Sequence, residues 1–327
     1  MNKMDYLSGW CKSNRRLDGY TVIITGCNTG IGKETALDLY KRGAKIIMAC
    51  RNTDKAEEAK ADIIKKCESD TETGSLVIEK LDLSSLKSVR ECAFRILAKE
   101  DKINILINNA GIMMIPKGRT EDGFETQIGT NHFGHAMFTF LLLPRIIKSS
   151  PARIVNVASL AHFVSNVNVN DINLDRTWYG SVKAYGRSKS ANILFARAIH
   201  LKLRERNIND VNTYSLHPGV VRTEIGRNLY KGIIFGATWV FNNIISVFIK
   251  SPQCGAQTTI YCAIDEECAN ESGLYYSDCS KARRSSQCRN DSEALKLWDM
   301  TIEKLNLQKY DPLGDVDPTE DIFIQKV

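Results

Sequence analysis

The sequence predicts an α/β protein built on a single doubly wound parallel sheet of about seven strands, with helices on both faces. Three observations lead to this fold class. Short, nearly continuous apolar runs alternate with segments of helical periodicity. A glycine-rich turn follows the first apolar run. Small or polar residues follow several of the later runs, where an open parallel sheet binds its ligands.

Composition narrows the function classes. Charged residues make up 25% of the chain and apolar residues 43%, as in ordinary globular domains. The net charge of +6 is scattered, which argues against a nucleic-acid partner and permits only weak attraction to anionic lipid. The ten cysteines lack the close-paired spacing of a zinc site, so we predict reduced thiols and no metal.

No repeat or proline-rich linker divides the 327 residues, so we predict one domain over 1–327. Within it we distinguish an N-terminal extension (1–18), an insert over 224–272 next to the substrate, and an acidic, loosely held tail (311–327). Residues 1–17 contain no apolar stretch typical of a secretory signal, so we expect a cytosolic protein.

The first predicted unit joins a strand over 21–24 to a helix over 31–42 through the turn TGCNTGIG at 25–32. Glycines accept positive φ and lack a Cβ, so backbone N–H groups can approach a pyrophosphate at the helix N-terminus. A tight turn without a ligand is the alternative. The context favours a dinucleotide site that includes Gly26, Asn28, Thr29, Gly30, Ile31 and Gly32.

Arg51 ends the second predicted strand, the apolar run at 44–50. In a nucleotide-binding βαβ unit this position faces the adenosine ribose, where a carboxylate would favour NAD and an arginine would accept the 2′-phosphate of NADP. No acidic residue adjoins Arg51, so the pattern favours NADP. The alternative is a solvated arginine at a strand end.

The next segments predict a helix over 54–66, with Ala56, Ala59, Ile63 and Ile64 as its buried stripe, and a third strand over 76–78. Asp82 and Leu83 follow that strand. Asp82 could accept a hydrogen bond from the adenine amino group, or it could begin the turn and N-cap the helix over 86–99. Its position leaves the two roles equally open.

A fourth strand over 103–107 runs into Asn108, Asn109, Ala110 and Gly111. Small residues at the carboxyl end of a strand let a flat ligand approach the backbone, which makes Asn108, Ala110 and Gly111 candidates for cofactor contact. The apolar run after Asn131 has helical spacing, and we expect Pro144 to kink or end that helix.

A fifth strand over 153–157 delivers Ser159 just past its end. The following helix carries Tyr185 and Lys189, which lie on one face because they are four residues apart. A sixth strand over 211–216 ends at His217, Pro218 and Gly219, and residues 274–276 predict a seventh. Taken alone, a serine cap or a helical Tyr–Lys pair is usually structural. Their convergence at strand ends favours a site.

The segment 232–249 is strongly apolar, yet it is short for a membrane span and has Asn242 and Asn243 near its middle. A spanning helix is therefore disfavoured. Three interpretations stay open: a substrate-covering lid, a segment resting in the bilayer interface, and an ordinary buried helix.

In this order the motifs resemble the short-chain dehydrogenase/reductase family: TGxxxGIG at 25–32, NNAG at 108–111, Asn131, Ser159, YxxxK at Tyr185 and Lys189, and PG at 218–219. The phrases CNTGIGKETA, ACRN, NHFGH and HPGVVRTE are similar to those of the NADP-dependent retinol dehydrogenases. The resemblance implies a Rossmann-like fold and interconversion of a hydrophobic alcohol with its aldehyde or ketone, retinol and retinaldehyde being the leading pair. A steroid or other lipid carbonyl is the alternative substrate, and a non-catalytic NADPH- or lipid-binding protein is the alternative of another class.

The resemblance also implies roles for single residues. Tyr185 would be the acid or base, Lys189 would lower the pKa of Tyr185 and bind ribose, and Ser159 would hold the substrate oxygen. Asn131 would hold a water linked to Lys189. This mechanism leaves no task for His132, His135 and His162, which we interpret as structural. Beside the nicotinamide we expect Pro218, Gly219, Val221 and Thr223.

The implied partners are a hydrophobic small molecule and the cofactor NADP(H). The resemblance permits a homodimer through the helices that follow Asn131 and Tyr185. It also permits peripheral contact with a membrane, on the cytoplasmic side of the endoplasmic reticulum or on lipid droplets.

Overall fold

The computed structural model of the chain describes residues 3–221 and 250–318. Among these residues eight strands occur, and they belong to one sheet. In chain order the strands are Thr21–Thr25 (β1), Lys45–Cys50 (β2), Ser75–Lys80 (β3), Ile105–Asn108 (β4), Ala152–Val157 (β5), Val211–Leu216 (β6), Leu274–Ser277 (β7) and Ser280–Lys281 (β8).

The α-helices of the described ranges lie between these strands and near both ends of the chain. They are Lys3–Leu7 (α1), Gly30–Lys41 (α2), Thr53–Lys66 (α3), Leu86–Lys99 (α4), Thr126–Ile128 (α5), Gly134–Lys148 (α6), Ser181–Glu205 (α7), Pro252–Ile264 (α8) and Asp291–Lys304 (α9). The π-helix Gly129–Phe133 joins α5 to α6.

The strand order is β3-β2-β1-β4-β5-β6-β7-β8. Strands β1 to β7 are parallel, and β8 returns antiparallel to β7. The order reverses between β1 and β4, so a crevice opens outside their carboxyl ends. The seven predicted strands are confirmed. Strand β8 was not predicted, because two exposed residues carry no apolar pattern.

Helices cover both faces of the sheet, which confirms the doubly wound prediction. Successive β1 side chains alternate between the two cores, since a strand has a period of two. Ile23 packs with the apolar faces of α4, α6 and α7. Its neighbours Val22 and Ile24 pack with α2, α3 and α8. In α3 the predicted stripe is wrong at Ile64, which is 46% exposed while Ile63 is buried.

Helix α6 passes through Pro144 without ending, so the predicted helix end is wrong, while the predicted kink stays a prediction. Proline cannot donate to the carbonyl four residues earlier, which here belongs to Phe140. The hydroxyl of Tyr310 donates to that oxygen at 3.2 Å. A side chain from the end of the chain therefore supplies the hydrogen bond that the proline removes.

Helix α9 covers the outer faces of α6 and α7. Trp298 packs edge-on against Phe140, with ring centres 4.8 Å apart, and lies over Phe195 at 6.4 Å. Arg197 on α7 donates two hydrogen bonds of 2.7 Å to the Asp291 carboxylate. Helix α9 therefore buries part of α7 and, through Trp298, part of α6.

The N-terminal extension and the start of the tail are tied to the domain. The backbone N–H of Cys11 donates to Gln257 on α8, and Ser251 N–H donates to Asp5. In the tail, Leu313 is buried and Asp317 accepts a hydrogen bond from Arg145. We expected a loosely held tail, but residues 311–318 contact the domain through these side chains. The amino-terminal part of the predicted insert, including 232–249, lies outside the described residues; from Pro252 onward the insert forms the buried helix α8.

Within the described ranges, no helix is both long enough and apolar enough to cross a membrane. All ten cysteines are free thiols.

Candidate active site

The site lies at the carboxyl edge of the sheet, because parallel strands end on the same side. The glycine turn follows β1, Asn109 to Gly111 follow β4, Ser159 follows β5, and His217 to Gly219 follow β6. Since β1, β4, β5 and β6 are consecutive in the sheet, these four loops are neighbours.

The glycine turn is a cradle that a side chain would fill. Gly26 and Gly30 have φ of +64° and +56°, in the region that favours glycine. A Cβ at Gly32 would lie 2.7 Å from the carbonyl oxygen of Gly26. Thr29 precedes α2 without a side-chain cap, so the first N–H groups of α2 are open to an anion. These residues fit the pyrophosphate of a dinucleotide.

Thr25 and Asn109 hold this cradle in place, and neither was among the predicted site residues. The Thr25 hydroxyl accepts from the N–H of Asn109 at 3.0 Å and of Ala110 at 2.9 Å. The Asn109 amide donates back to the Thr25 carbonyl at 2.8 Å. Their positions inside the TG and NNAG motifs were the available signal, but their pairing spans 84 residues.

Two predicted cofactor residues are engaged elsewhere through their side chains. The Asn108 amide donates to Thr139 at 2.9 Å and to Asn156 at 3.0 Å, so it joins β4 to α6 and β5 inside the core. One Asp82 oxygen accepts from the N–H and hydroxyl of Ser84, at 2.9 and 2.6 Å. Ser85, rather than Asp82, is the N-cap of α4. Asp82 therefore begins the turn, and its other oxygen faces no partner among the described residues.

Arg51 is exposed at the end of β2. It makes no hydrogen bond or ion pair with the described part of the chain, while its neighbour Asn52 caps α3 by accepting from Lys55 N–H. The guanidinium is thus available to a phosphate. Leu83, another predicted cofactor residue, is buried. Its carbonyl oxygen lies close to Gly134, because a Cβ added to Gly134 would be 2.3 Å from that oxygen.

Tyr185, Lys189 and Ser159 meet next to this cradle. Burial raises the pKa of Tyr185, and a hydrogen bond from Ser159 partly opposes that rise. The Lys189 ammonium lies 5.7 Å from the centre of the Tyr185 ring and donates to the Val157 carbonyl at 3.0 Å. Burial lowers the pKa of Lys189 to about 8. Burial thus favours the protonated phenol of Tyr185 and weakens the hold of Lys189 on its proton.

Asn131 lies in the π-helix and is fully buried. Its amide donates to the Ile112 carbonyl and to the Ser188 hydroxyl, both at 2.9 Å, and its Oδ1 accepts from Ile112 N–H at 2.9 Å. A Cβ on Gly111 would be 3.4 Å from both the Asn131 Oδ1 and the Lys189 Nζ. The lack of a side chain at Gly111 therefore leaves a gap that these two polar groups share.

The loop after β6 completes the site on the other side. Gly219 has φ of +83°, and a Cβ there would be 2.9 Å from Cε of Lys250. Val221 and Ile31 converge on Gly255 of α8, where a Cβ would lie 2.6 Å from Val221 and 3.3 Å from Ile31. Ile31 and Val221, two predicted cofactor residues, therefore lie close together. Thr223 lies outside the described residues.

The fold and this set of residues together fit a dinucleotide-dependent oxidoreductase site. Comparison with known proteins agrees. Residues 20–233 match the family model described as short chain dehydrogenase. The chain belongs to the short-chain dehydrogenase/reductase family, and it is an enzyme of the kind that acts on alcohols with a nicotinamide cofactor.

Several relatives are retinol dehydrogenases. The chain is 44% identical to retinol dehydrogenase 12 of Mus musculus, over 93% of this chain and 92% of that protein. It is 43% identical to retinol dehydrogenase 11 of Homo sapiens, over 92% of this chain and 90% of that one. Retinol dehydrogenase 13 of Homo sapiens is 40% identical, over 93% and 90%.

Solved structures show the same fold. An uncharacterized protein from Mycobacterium paratuberculosis superposes with a TM-score of 0.70 at 31% identity, covering 91% of this chain and 98% of that one. The RhlG/NADP active-site complex of Pseudomonas aeruginosa superposes with a TM-score of 0.61 at 21% identity, over 80% and 94%. The predicted family and fold are confirmed.

Proposed function

We propose that this enzyme is an NADP(H)-dependent oxidoreductase that interconverts a hydrophobic alcohol and its aldehyde or ketone, with retinol and retinaldehyde as the leading pair. The observation that carries the proposal is the meeting of Ser159, Tyr185 and Lys189 beside an open glycine cradle. The names of the relatives support the retinoid.

Each side chain serves the reaction in a different way. When bound, the nicotinamide supplies or accepts the hydride. In the reducing direction the substrate oxygen becomes negative, and Tyr185, kept protonated by burial, would give it a proton. Ser159 would hydrogen-bond the same oxygen where the charge develops. In the oxidising direction the Lys189 charge would favour the phenolate.

Proton exchange with solvent needs a path, because Tyr185 and Lys189 are both buried. Asn131 would hold a water in the gap in front of Gly111, within reach of Lys189. Lys189 would also bind the nicotinamide ribose. The carbonyl oxygen of Val157 holds the lysine in place for both tasks.

The cofactor would lie along the carboxyl edge of the sheet. Gly26 to Gly32 would hold its pyrophosphate, with N–H groups of α2 directed at the charge. Arg51 would accept the 2′-phosphate, and the free oxygen of Asp82 would accept from adenine. Toward the nicotinamide we place Ala110, Gly111, Pro218, Gly219 and Val221, with Thr223 following in the sequence.

A hydrophobic substrate fits the surroundings of Ser159. Leu160, Phe163 and Val164 follow it directly and are exposed, and Val220 is exposed next to Gly219. Trp178, just before α7, is 83% exposed. Exposed apolar side chains at the mouth of a site favour an apolar ligand. A steroid or other lipid carbonyl meets the same condition, so a screen of retinoid, steroid and aliphatic aldehydes with NADPH distinguishes these substrates.

The same apolar side chains suit peripheral contact with the cytoplasmic surface of the endoplasmic reticulum or of lipid droplets, which vesicle flotation would test. The family resemblance permits a homodimer through α6 and α7, and light scattering would distinguish that dimer from a monomer.

The variant Tyr185→Phe tests the catalytic proposal. Removing the hydroxyl removes the proton carrier, so we expect kcat to fall at least about 100-fold. The affinity for NADPH should stay within about threefold, because the ring remains. Tyr214→Phe is the matched control, since Tyr214 is buried on β6 with its hydroxyl on the Cys268 carbonyl. Unchanged turnover in Tyr185→Phe would refute the mechanism.

A further inference from the structure

We propose that His135 is a positioning residue that ties the cofactor turn to Asn131 and so couples NADPH binding to the proton path. From the sequence we interpreted this histidine as structural, because the tyrosine mechanism leaves it no task. The inference rests on the proposed function, but its geometric basis is independent of the substrate.

The His135 ring bridges two elements of the site. Its Nε2 lies 2.9 Å from the Thr25 hydroxyl, and its Nδ1 lies 3.0 Å from the backbone carbonyl oxygen of Asn131. Thr25 is the last residue of β1 and precedes the glycine turn. The imidazole is therefore the direct connection between that turn and the π-helix.

The donors and acceptors allow only one arrangement. A carbonyl oxygen only accepts, so Nδ1 must carry the hydrogen that is donated to Asn131. The Thr25 oxygen already accepts from the N–H groups of Asn109 and Ala110, which use both of its lone pairs. Its own hydrogen must then go to Nε2. The ring is neutral and is protonated at Nδ1.

Burial keeps the ring in that form. Thr25 and Asn131 are fully buried, and His135 is nearly so. The pKa of His135 is lowered to about 4, chiefly by desolvation; the hydrogen bond to the Asn131 carbonyl opposes this change, and the nearby charge of Lys189 adds to it. A second proton would place Nε2–H against an oxygen that has no free lone pair.

Each end of the bridge leads to a different task. On the Thr25 side are Gly26 and the backbone of Ala110, which border the cofactor cradle. On the other side, Asn131 bonds to Ser188, whose hydroxyl donates to the backbone carbonyl of Tyr185 at 2.8 Å. Loss of the first contact should loosen NADPH, and loss of the second should disturb the proton path.

Two substitutions separate the two contacts. His135→Asn places an amide donor where Nδ1 was, which keeps the Asn131 bond and loses Thr25. His135→Gln places an amide oxygen near the Nε2 position, which keeps Thr25 and loses Asn131. One hydrogen bond corresponds to about a fivefold effect. We expect His135→Asn to raise the Kd of NADPH about fivefold with kcat within twofold, and His135→Gln to lower kcat about fivefold with that Kd within twofold.

His132→Gln is the matched control. His132 is also fully buried and lies three residues away, but its Nε2 contacts Thr301 on α9, at 3.0 Å. The His132→Gln variant should destabilise the protein as His135→Gln does, but it should leave both kcat and the Kd of NADPH within twofold of the unmutated values. Equal changes in kcat for both glutamine variants would show that only stability is involved, and would overturn the proposal.

The imidazole itself gives a readout that does not depend on activity. Nitrogen-15 NMR of the unmutated protein at pH 7 should show His135 protonated at Nδ1, and protonation at Nε2 would overturn the proposal. Suppose that Tyr185→Phe keeps its turnover, while the Nδ1 tautomer is observed, His135→Asn changes only the Kd of NADPH and His135→Gln changes only kcat. The proposed mechanism then fails, and the His135 bridge stands. If the two His135 variants change the same parameter to the same extent, the bridge fails and the mechanism stands.

Discussion

In the proposed function, Arg51 is the residue that selects NADPH over NADH. A guanidinium accepts a phosphate through charge-assisted hydrogen bonds, whereas a carboxylate would repel it and accept from a free 2′-hydroxyl instead. We therefore expect Arg51→Asp to lower the ratio of kcat/KM for NADPH to that for NADH at least about 100-fold, the value of a charge-assisted contact of about 3 kcal/mol. Steady-state kinetics with both cofactors measures it. The charge-matched control is Arg289→Asp, at an exposed residue after β8. A strict NADH preference before mutation would contradict the interpretation of Arg51.

At the scale of residues, the sequence indicated which side chains of the candidate site lie near one another, but not the hydrogen bonds between them. Ser159, Tyr185 and Lys189 could be predicted because their motifs stand at strand ends or one helical turn apart. The partners of Asn108 and Thr25 could not, since each bond joins residues that are far apart in the chain. Side-chain direction at such positions is set by packing that only the fold defines.

At the scale of elements, α9 should contribute much of the stability of the α6–α7 layer. Trp298 is almost fully buried between Phe140 and Phe195. We expect Trp298→Ala to lower the free energy of unfolding by about 3 kcal/mol or more, because it leaves a large cavity. Urea denaturation measures the loss. Trp178→Ala, at an exposed tryptophan, should change it by less than about 0.5 kcal/mol. Equal losses in the two variants would contradict this role of α9.

Strand and helix positions were largely predictable, because apolar runs and helical periodicity are local. The course of α6 through Pro144 was not, since the hydroxyl that satisfies the Phe140 carbonyl comes from Tyr310, 170 residues away. Helix α9 was missed as a cover for α6 and α7 for a similar reason. Periodicity shows that a helix has an apolar face, but it does not show which neighbour buries that face.

For the whole molecule, the histidines predict a loss of stability in mild acid. Burial lowers the pKa of His132 to about 3 and of His135 to about 4, and it also lowers the pKa of His162, His200 and His217. Below about pH 6.5 the unfolded chain binds protons that the folded one does not. The free energy of unfolding should therefore fall as the pH drops from 6.5 to 5. For each deeply buried histidine the slope should rise from about 0.7 kcal/mol per pH unit at pH 6.5 toward about 1.4 kcal/mol per pH unit near pH 5.

Denaturation midpoints at pH 7.5, 6 and 5 test this expectation. His132→Gln removes one of the titrating groups. The free energy of unfolding of this variant should therefore fall less steeply with acid than that of the unmutated protein, with a slope that is smaller by up to about 1.4 kcal/mol per pH unit. An unchanged slope in that variant would mean that His132 is protonated in the folded protein.

The long-range ties of the N-terminal segment have a consequence for synthesis on the ribosome. In the sheet, strands β4 to β7 follow β1 in the order in which they are synthesised. The segment around Cys11 departs from this order, because its partner Gln257 emerges some 246 residues later. Phe140 and Phe195 likewise contact Trp298, which is synthesised about 100 residues or more after them. A nascent chain that stalls before α9 would therefore expose an aromatic surface of the kind that chaperones bind, with its glycine turn already formed.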